Sequence, residues 1–134
     1  MRIERITITP DPYEPFRLAQ GYRAGDLLFI SGQAAIDSGG KIVGIGDFDA
    51  QAKQAFENLD RVLRAGGSSL KNVIKVTIFL TDMGYFGRIV ELRGQWFTVP
   101  YPADTIVEVR SLYSPDAMLE IEAVAVADAA AERA

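Results

Sequence analysis

The sequence predicts a two-layer α+β domain, in which two helices cover one face of a mixed β-sheet. Three observations carry this prediction. Segments that alternate at period 2 recur along the chain, two segments switch to helical spacing, and their order is β-β-β-α-β-α-β-β. With 134 residues, 49% of them hydrophobic, the chain is long enough for one core, so we expect a single domain over residues 1–134.

The first three predicted elements are strands. Ile3–Thr9 is the first of them, rich in isoleucine and threonine with charged residues at 4 and 5, and Pro10 ends it. Phe16–Arg23 and Leu27–Ser31 are the next two strands. A tight turn at residues 24–26 joins them, so the pattern predicts a β-hairpin.

A helix is predicted from Phe48, where the apolar residues begin to recur at three- and four-residue spacing. Asp47 or Asp49 can cap its N-terminus. Gly66 and Gly67 follow its last turn, as is typical of a helix C-terminus.

A central strand and a second helix follow. Val73–Leu80 is apolar on both faces in part, which favours a strand inside the sheet. Tyr85–Phe97 has helical apolar spacing but contains or adjoins Gly84, Gly87 and Gly94, each unfavourable by roughly 1 kcal/mol relative to alanine. Tertiary packing must therefore stabilise this helix.

The last two strands are predicted at Thr105–Val109 and Met118–Val126, on either side of a Ser-Pro-Asp turn, as a hairpin. The second of them carries Glu120 and Glu122 on one face, between apolar residues on the other. Such a pair is either the solvated face of a half-buried sheet or part of a site.

Composition narrows the chemistry. The chain has no cysteine and no histidine, which excludes disulfides, thiol nucleophiles, Ser-His-Asp catalysis and thiolate or imidazole metal ligands. Proton transfer must then use a carboxylate, tyrosine, lysine, water or the backbone. The net charge of −4, without a basic run, argues against nucleic acid as a partner. With no apolar run of about 18 residues and no signal-peptide pattern, no membrane partner and a cytoplasmic location are expected.

Several motifs, in order, resemble those of the RidA/YjgF reactive-intermediate deaminases. They are Ser31-Gly32-Gln33 after an apolar strand, a helix ending in Ala-Gly-Gly, Pro102-Ala103 before an extended run, and Glu-Ile-Glu at residues 120–122. The resemblance implies a chorismate-mutase-like fold and a homotrimer with clefts between subunits. It implies no metal and no organic cofactor. Self-association also suits the sequence, since apolar residues lie on both faces of Val73–Leu80 and a monomer has no third layer to cover them.

In that family an arginine after Pro-Ala binds the carboxylate of a small imine or enamine acid, and the glutamate of the last strand activates water. Here Asp104 stands in place of the arginine, Leu18 in place of a tyrosine and Val90 in place of an asparagine. A carboxylate at 104 repels an anionic substrate, so the general 2-aminoacrylate deaminase activity is not expected.

The candidate site follows from these positions. Glu120 is the candidate catalytic residue, and a nearby Asp104 would form a carboxylate pair with it. The candidate substrate-binding residues are Ser31, Gly32, Gln33, Tyr101, Asp104, Arg17 and Arg88. Arg23, Arg93 and Arg110 are further possible substitutes for the missing cation. Each of these also has an ordinary alternative: a turn cap, a strand end or a solvated surface arginine.

Three functions are compatible with the sequence. The first is hydrolytic deamination of an imine, an enamine or an aminomuconate-like intermediate. The second is a small-ligand-binding or regulatory trimer without turnover. The third is a ribonuclease, which the charge balance disfavours.

Overall fold

The computed structural model describes residues 1–133 and contains one six-stranded sheet and two α-helices. The predicted order of strands and helices is confirmed. The elements are β1 Ile3–Ile6, β2 Gly21–Ala24, β3 Leu27–Gln33, α1 Phe48–Ala65, β4 Val73–Leu80, α2 Phe86–Trp96, β5 Ala103–Glu108 and β6 Leu119–Val126.

The strands lie in the spatial order β1-β2-β3-β6-β4-β5. The β2–β3 hairpin is confirmed, with Tyr22 opposite Phe29. The predicted hairpin of the last two strands is wrong, because β4 lies between β6 and β5. β5 instead runs parallel to β4, with Asp104 beside Val76. A parallel pair needs a crossover connection, and α2 provides it.

The second strand is shorter than predicted. Glu14–Phe16 forms a 3₁₀ turn, and Arg17 follows in the left-handed region with φ of 59°. The Arg17 N–H donates to the Glu14 carbonyl, which closes the turn. Pro15 favours this turn because its fixed φ suits a first helical position. The strand therefore begins only at Gly21.

Helix α1 begins and ends at the predicted residues. The Asp47 side chain accepts a hydrogen bond from the Ala50 N–H at 3.1 Å and so caps the N-terminus. At the other end Gly66 lies very close to the sheet. A Cβ on it would be 2.5 Å from Leu28 Cδ2 and 2.7 Å from Ile6 Cδ1, two buried side chains that would have to shift to admit it.

The two helices contact one another through aromatic side chains. Phe48 stacks on Tyr85 with ring centroids 4.0 Å apart, and Phe56 stacks on Trp96 at 5.2 Å. Trp96 packs against the core, whereas Phe86, whose helical spacing predicts a core position, is 45% exposed. Phe86 lies on the same side of α2 as Val90, which is 50% exposed, and as Arg93, whose guanidinium lies over its ring, so this side of the helix faces away from the core.

The sheet has one covered and one uncovered face. On the covered face Val76, Ile78 and Leu80 are fully buried beneath the helices. We call the opposite face the open face. In the single chain it leaves large apolar side chains, such as those of Tyr22 and Phe29, about half exposed. Within residues 1–133, no helix is both long and apolar enough to span a bilayer.

Candidate functional site

Glu120 lies in a cavity of about 410 Å³ with mostly apolar walls. We call this the Glu120 cavity, and it is lined by Tyr13, Phe16, Leu18, Gly32, Ile36, Tyr113 and Glu120. Glu120 reaches it because alternate residues of β6 point to opposite faces. Leu119 and Ile121 are buried beneath the helices, so Glu120 points away from them. The side chain is half-buried.

Gly32 makes room for the Glu120 side chain. The pairing of β3 with β6 is irregular between Ile30 and Gln33, and Gly32 lies in that interval. A Cβ on Gly32 would be 2.6 Å from Glu120 Cδ and 2.9 Å from Cγ. The Tyr13 hydroxyl donates to the Gly32 carbonyl and ties the loop before β2 to this point. The missing side chain at 32 therefore allows the carboxyl to lie against β3.

Burial changes the acid–base properties of this cavity. Removal of water raises the pKa of the Glu120 carboxyl, and the negative charge of Glu122 raises it further. Burial also raises the pKa of Tyr113, with a smaller effect from Glu120, and burial likewise raises the pKa of Tyr13. The two tyrosines therefore remain neutral at physiological pH, and Glu120 is the acid–base group of the cavity.

Of the Ser31-Gly32-Gln33 triplet, only Gly32 borders the Glu120 cavity. The Ser31 hydroxyl donates to the Ala19 carbonyl at 2.6 Å. Gln33 is 2% exposed, and its amide nitrogen donates to Gln20 Oε1 at 3.0 Å and to the Ser31 carbonyl at 3.1 Å. Within the single chain, the Ser31 and Gln33 side chains therefore hold the residues just before β2 against β3.

Asp104 and Tyr101 lie in a different pocket, between α2 and β5. This Arg93–Asp104 pocket has a volume of about 350 Å³ and is lined by Val90, Arg93, Gly94, Phe97, Tyr101, Pro102 and Asp104. Arg93 Nε donates to Asp104 Oδ2 at 2.8 Å. Val90 and Arg93 share a face of α2, because they are three residues apart.

The expected carboxylate pair does not form within one chain. Asp104 lies beside Val76, whose side chain is buried on the covered face, and residues opposite one another in neighbouring strands share a face. Glu120 lies on the open face. The negative charge that raises the Glu120 pKa is that of Glu122. Glu120 and Asp104 can therefore meet only if two chains contribute one residue each.

The two predicted arginines lie elsewhere. Arg88 binds Asp49 with Nε at 2.7 Å and Glu91 with Nη1 at 3.3 Å, and the hydrogen bond to Asp49 raises its pKa. Arg17 borders a polar groove beside β1. Leu18 borders both this groove and the Glu120 cavity.

Sequence reasoning missed the aromatic walls of the Glu120 cavity. Tyr13 and Tyr113 lie outside the helices and strands, where no periodic pattern indicates which way a side chain points. Arg93 is one of several arginines that the sequence offers as the missing cation. Its three-residue spacing from Val90 puts both on one face of the helix, and this spacing could have singled it out. Within residues 1–133, no three acidic side chains cluster so that they could hold a metal ion.

Comparison with known proteins identifies relatives along nearly the whole chain. Residues 9–127 match the family described as Endoribonuclease L-PSP. A RutC family protein of Pyrococcus horikoshii is 43% identical over 117 residues, which are 87% of this chain and 90% of that protein. A 2-iminobutanoate/2-iminopropanoate deaminase of Mus musculus is 35% identical over 122 residues, which are 90% and 89% of the two chains.

Solved structures agree with the fold. A Rid-family protein of unknown function from Yersinia pestis, YyfA, superposes with a TM-score of 0.86 at 28% identity, over 93% of this chain and 99% of that chain. RidA from an Antarctic Psychrobacter superposes with a TM-score of 0.76 at 33% identity, over 81% and 87% of the two chains.

Proposed function

Because this chain belongs to the Endoribonuclease L-PSP family, the family of the RidA/YjgF proteins, we propose that it hydrolyses the imine or enamine of a small metabolite and releases ammonia. The observation that carries the proposal is the half-buried Glu120 carboxyl, with its raised pKa, against Gly32 in a mostly apolar cavity. The deaminase name of the mouse relative supports the same reaction class.

The chemistry requires one acid–base group. Water adds its oxygen to the imine carbon, the C–N bond breaks, and a carbonyl compound and ammonia leave. Glu120 accepts a proton from the attacking water and returns it to the departing nitrogen. Its raised pKa brings these two steps closer in energy near neutral pH, because the carboxyl then holds and releases the proton more evenly.

The site is proposed to lie between the subunits of a cytoplasmic homotrimer. Two observations support this assembly. The open face presents half-exposed apolar residues, including Phe29, which is 48% exposed. The Glu120 cavity and the Arg93–Asp104 pocket lie on opposite faces of one sheet, so a second chain is required to bring them together.

The substrate is proposed to differ from 2-aminoacrylate. Asp104 is anionic where the RidA resemblance has a substrate-binding arginine, and the loss of a bidentate partner weakens the binding of a short acid. A larger imine, an enamine or an aminomuconate-like intermediate suits the volume of about 410 Å³ around Glu120 better.

Ammonia release tests this proposal directly. Imino acids of increasing size are generated in situ by an amino-acid oxidase, and 2-aminoacrylate is supplied in parallel. We expect acceleration for the larger imines, and a loss of about 100-fold or more in Glu120→Gln. Glu122→Gln changes a neighbour on the same face of β6 but outside the cavity, and it should keep most of the rate because burial, the larger cause of the raised Glu120 pKa, is unchanged. Equal rates in wild type and Glu120→Gln, or robust turnover of 2-aminoacrylate, would contradict the proposal.

A ligand-binding trimer without turnover is the second candidate. The observation that favours it is the ion pair of Asp104 with Arg93, which engages the carboxylate inside the pocket. In that case Glu120→Gln changes ligand affinity and no ammonia is released by any variant. A ribonuclease is disfavoured by the net charge of −4, and salt-sensitive RNA binding would be needed to support it.

A further inference from the structure

Arg93 is held at the wall of the Arg93–Asp104 pocket by only one of its nitrogens. Its Nε donates to Asp104 Oδ2 at 2.8 Å, and the guanidinium carbon lies 5.9 Å from the Phe86 ring centroid. Among the residues that the structure describes, no hydrogen bond is made by Nη1 or Nη2. These two nitrogens form the donor fork that matches a carboxylate.

Arg88, on the same helix, has two carboxylate partners and serves as a comparison. Its Nε binds Asp49 and its Nη1 binds Glu91, so two carboxylates share its donors. Arg93 is less exposed than Arg88, with 24% against 30% of the side chain exposed, yet it has one carboxylate partner. The less exposed cation is therefore the one with fewer carboxylate partners.

Asp104 orients Arg93 at a cost in stability. Its side chain is 14% exposed, and Oδ1 is buried with no hydrogen-bond partner among residues 1–133. A buried acceptor without a donor is destabilising. A bidentate pair would use both Asp104 oxygens and two Arg93 nitrogens, whereas this one uses a single oxygen and Nε and leaves Nη1 and Nη2 available for a ligand.

We propose that this pocket binds a small carboxylate with an apolar chain, and that Arg93 anchors the carboxylate through Nη1 and Nη2. Val90, Phe97 and Tyr101 form the walls that contact the chain. Asp104 is a positioning residue, since it acts on the ligand through Arg93. The groups free to bind are donors, and Oδ1 is occluded, which favours an anionic ligand over a cationic one.

In the proposed trimer, the Arg93–Asp104 pocket of one chain faces the Glu120 cavity of another. A carboxylate ligand in this pocket names the substrate class of that site, so this inference rests on the proposed function. Arg93 projects from α2 and not from β5. The bound carboxylate is therefore displaced from the place where an arginine at position 104 would hold it. This displacement selects for acids longer than 2-aminoacrylate.

Direct binding tests the inference without any turnover. Hexanoate, its neutral isostere hexanamide, and acetate are titrated into the full chain by isothermal calorimetry or by NMR. We expect hexanoate to bind about tenfold or more tightly than either of the others, since hexanamide lacks the charge and acetate lacks the chain. Arg93→Gln should weaken hexanoate binding by about tenfold or more. Arg64→Gln, which removes an arginine bound through Nε to Asp60 on α1, should leave it unchanged.

Hexanoate affinity in two Asp104 variants tests whether Asp104 positions Arg93. Asp104→Ala should weaken hexanoate binding, and Asp104→Asn, which keeps an acceptor for Arg93 Nε, should restore most of the affinity. A purely structural role would lower the stability of both variants without this difference in affinity. If Arg93→Gln does not fold, Arg93→Lys, which keeps the charge but not the fork, replaces it and should also weaken binding.

The outcomes separate this inference from the proposed function. Arg93-dependent binding of hexanoate in wild type and in Glu120→Gln supports the inference even if no ammonia is ever released. Hexanoate affinity that is unchanged in Arg93→Gln, equal affinity for hexanamide, or no hexanoate binding to wild type would overturn it, whatever the fate of the deaminase assay.

Discussion

At the scale of single residues, the site depends on a glutamate and a glycine in neighbouring strands. Glu120 lies against β3 because Gly32 leaves space beside it, where a Cβ would be 2.6 Å from its carboxyl carbon. Tyr13, Phe16 and Tyr113 complete the apolar surroundings. The same contacts that would place Glu120 against a substrate therefore also raise its pKa.

Because the Glu120 carboxyl is half-buried, the free energy of unfolding depends on pH. The pKa of Glu120 is raised in the folded chain above its ordinary value of 4.5, so the folded chain keeps this proton where the unfolded chain has released it. The contribution of Glu120 to stability therefore falls as pH rises above about 4.5. Glu120→Gln should be more stable than wild type at neutral pH, by less than about 1 kcal/mol because the carboxyl is only half-buried.

This difference should disappear as pH falls below about 4.5, where Glu120 is protonated in both the folded and the unfolded state. Urea unfolding of both proteins between about pH 4 and pH 8 measures it. Parallel stability curves over that range, or a growing advantage of the glutamine variant on acidification, would contradict the prediction.

At the scale of elements, the helices attach to the sheet in different ways. α1 ends on Gly66, which contacts Leu28 and Ile6 closely, and its inner face is fully buried. α2 buries only Ile89 and Leu92 completely, and a Cβ on its residue Gly87 would meet nothing within 4 Å. The glycine at the end of α1 is therefore a packing requirement, whereas Gly87 is not.

The two glycines should respond oppositely to the same substitution. Gly66→Ala should lower the free energy of unfolding by about 1–3 kcal/mol, because the added methyl group overlaps Leu28 and Ile6. Gly87→Ala should be neutral or should raise it by up to about 1 kcal/mol, because alanine favours the helix. Thermal or urea unfolding measures both. Equal effects of the two variants would show that the close approach of Gly66 does not matter.

At the scale of the whole molecule, the sheet separates two pockets, which we propose to be the two halves of one site. The Arg93–Asp104 pocket lies on the covered side, and Glu120 lies on the open face. The open face also exposes large apolar side chains in one chain. Association of chains would cover the open face and could also bring the Glu120 cavity of one chain to the Arg93–Asp104 pocket of another. We therefore propose that the same assembly buries the apolar face and completes the site.

The proposed assembly gives a prediction of mass. The wild-type chain of 14.7 kDa should sediment as a trimer. Phe29→Glu places a charge in the middle of the open face and should shift the protein towards monomers. Ile45→Glu changes an equally apolar residue, 67% exposed in a loop, and should leave the trimer intact. Analytical ultracentrifugation measures both. A monomeric wild type, or dissociation by both variants alike, would contradict the proposal.

Much of the fold could be predicted because it depends on local patterns. Period-2 alternation and helical spacing located the strands and helices, and Asp47 with Gly66 marked the ends of α1. The same alternation placed Glu120 on the face opposite Leu119 and Ile121. Composition alone, with no histidine and no cysteine, favoured a carboxylate as the acid–base group.

The tertiary structure decided which distant segments meet. β5 pairs with β4 and not with β6, so Asp104 lies beneath the helices, away from Glu120. Gln33 forms hydrogen bonds inside the fold, and Arg93 becomes the cation of the pocket. The physical reason is that alternation determines only which residues of a strand share a face. The neighbour of a strand and the partner of a long side chain depend on contacts between residues far apart in the chain.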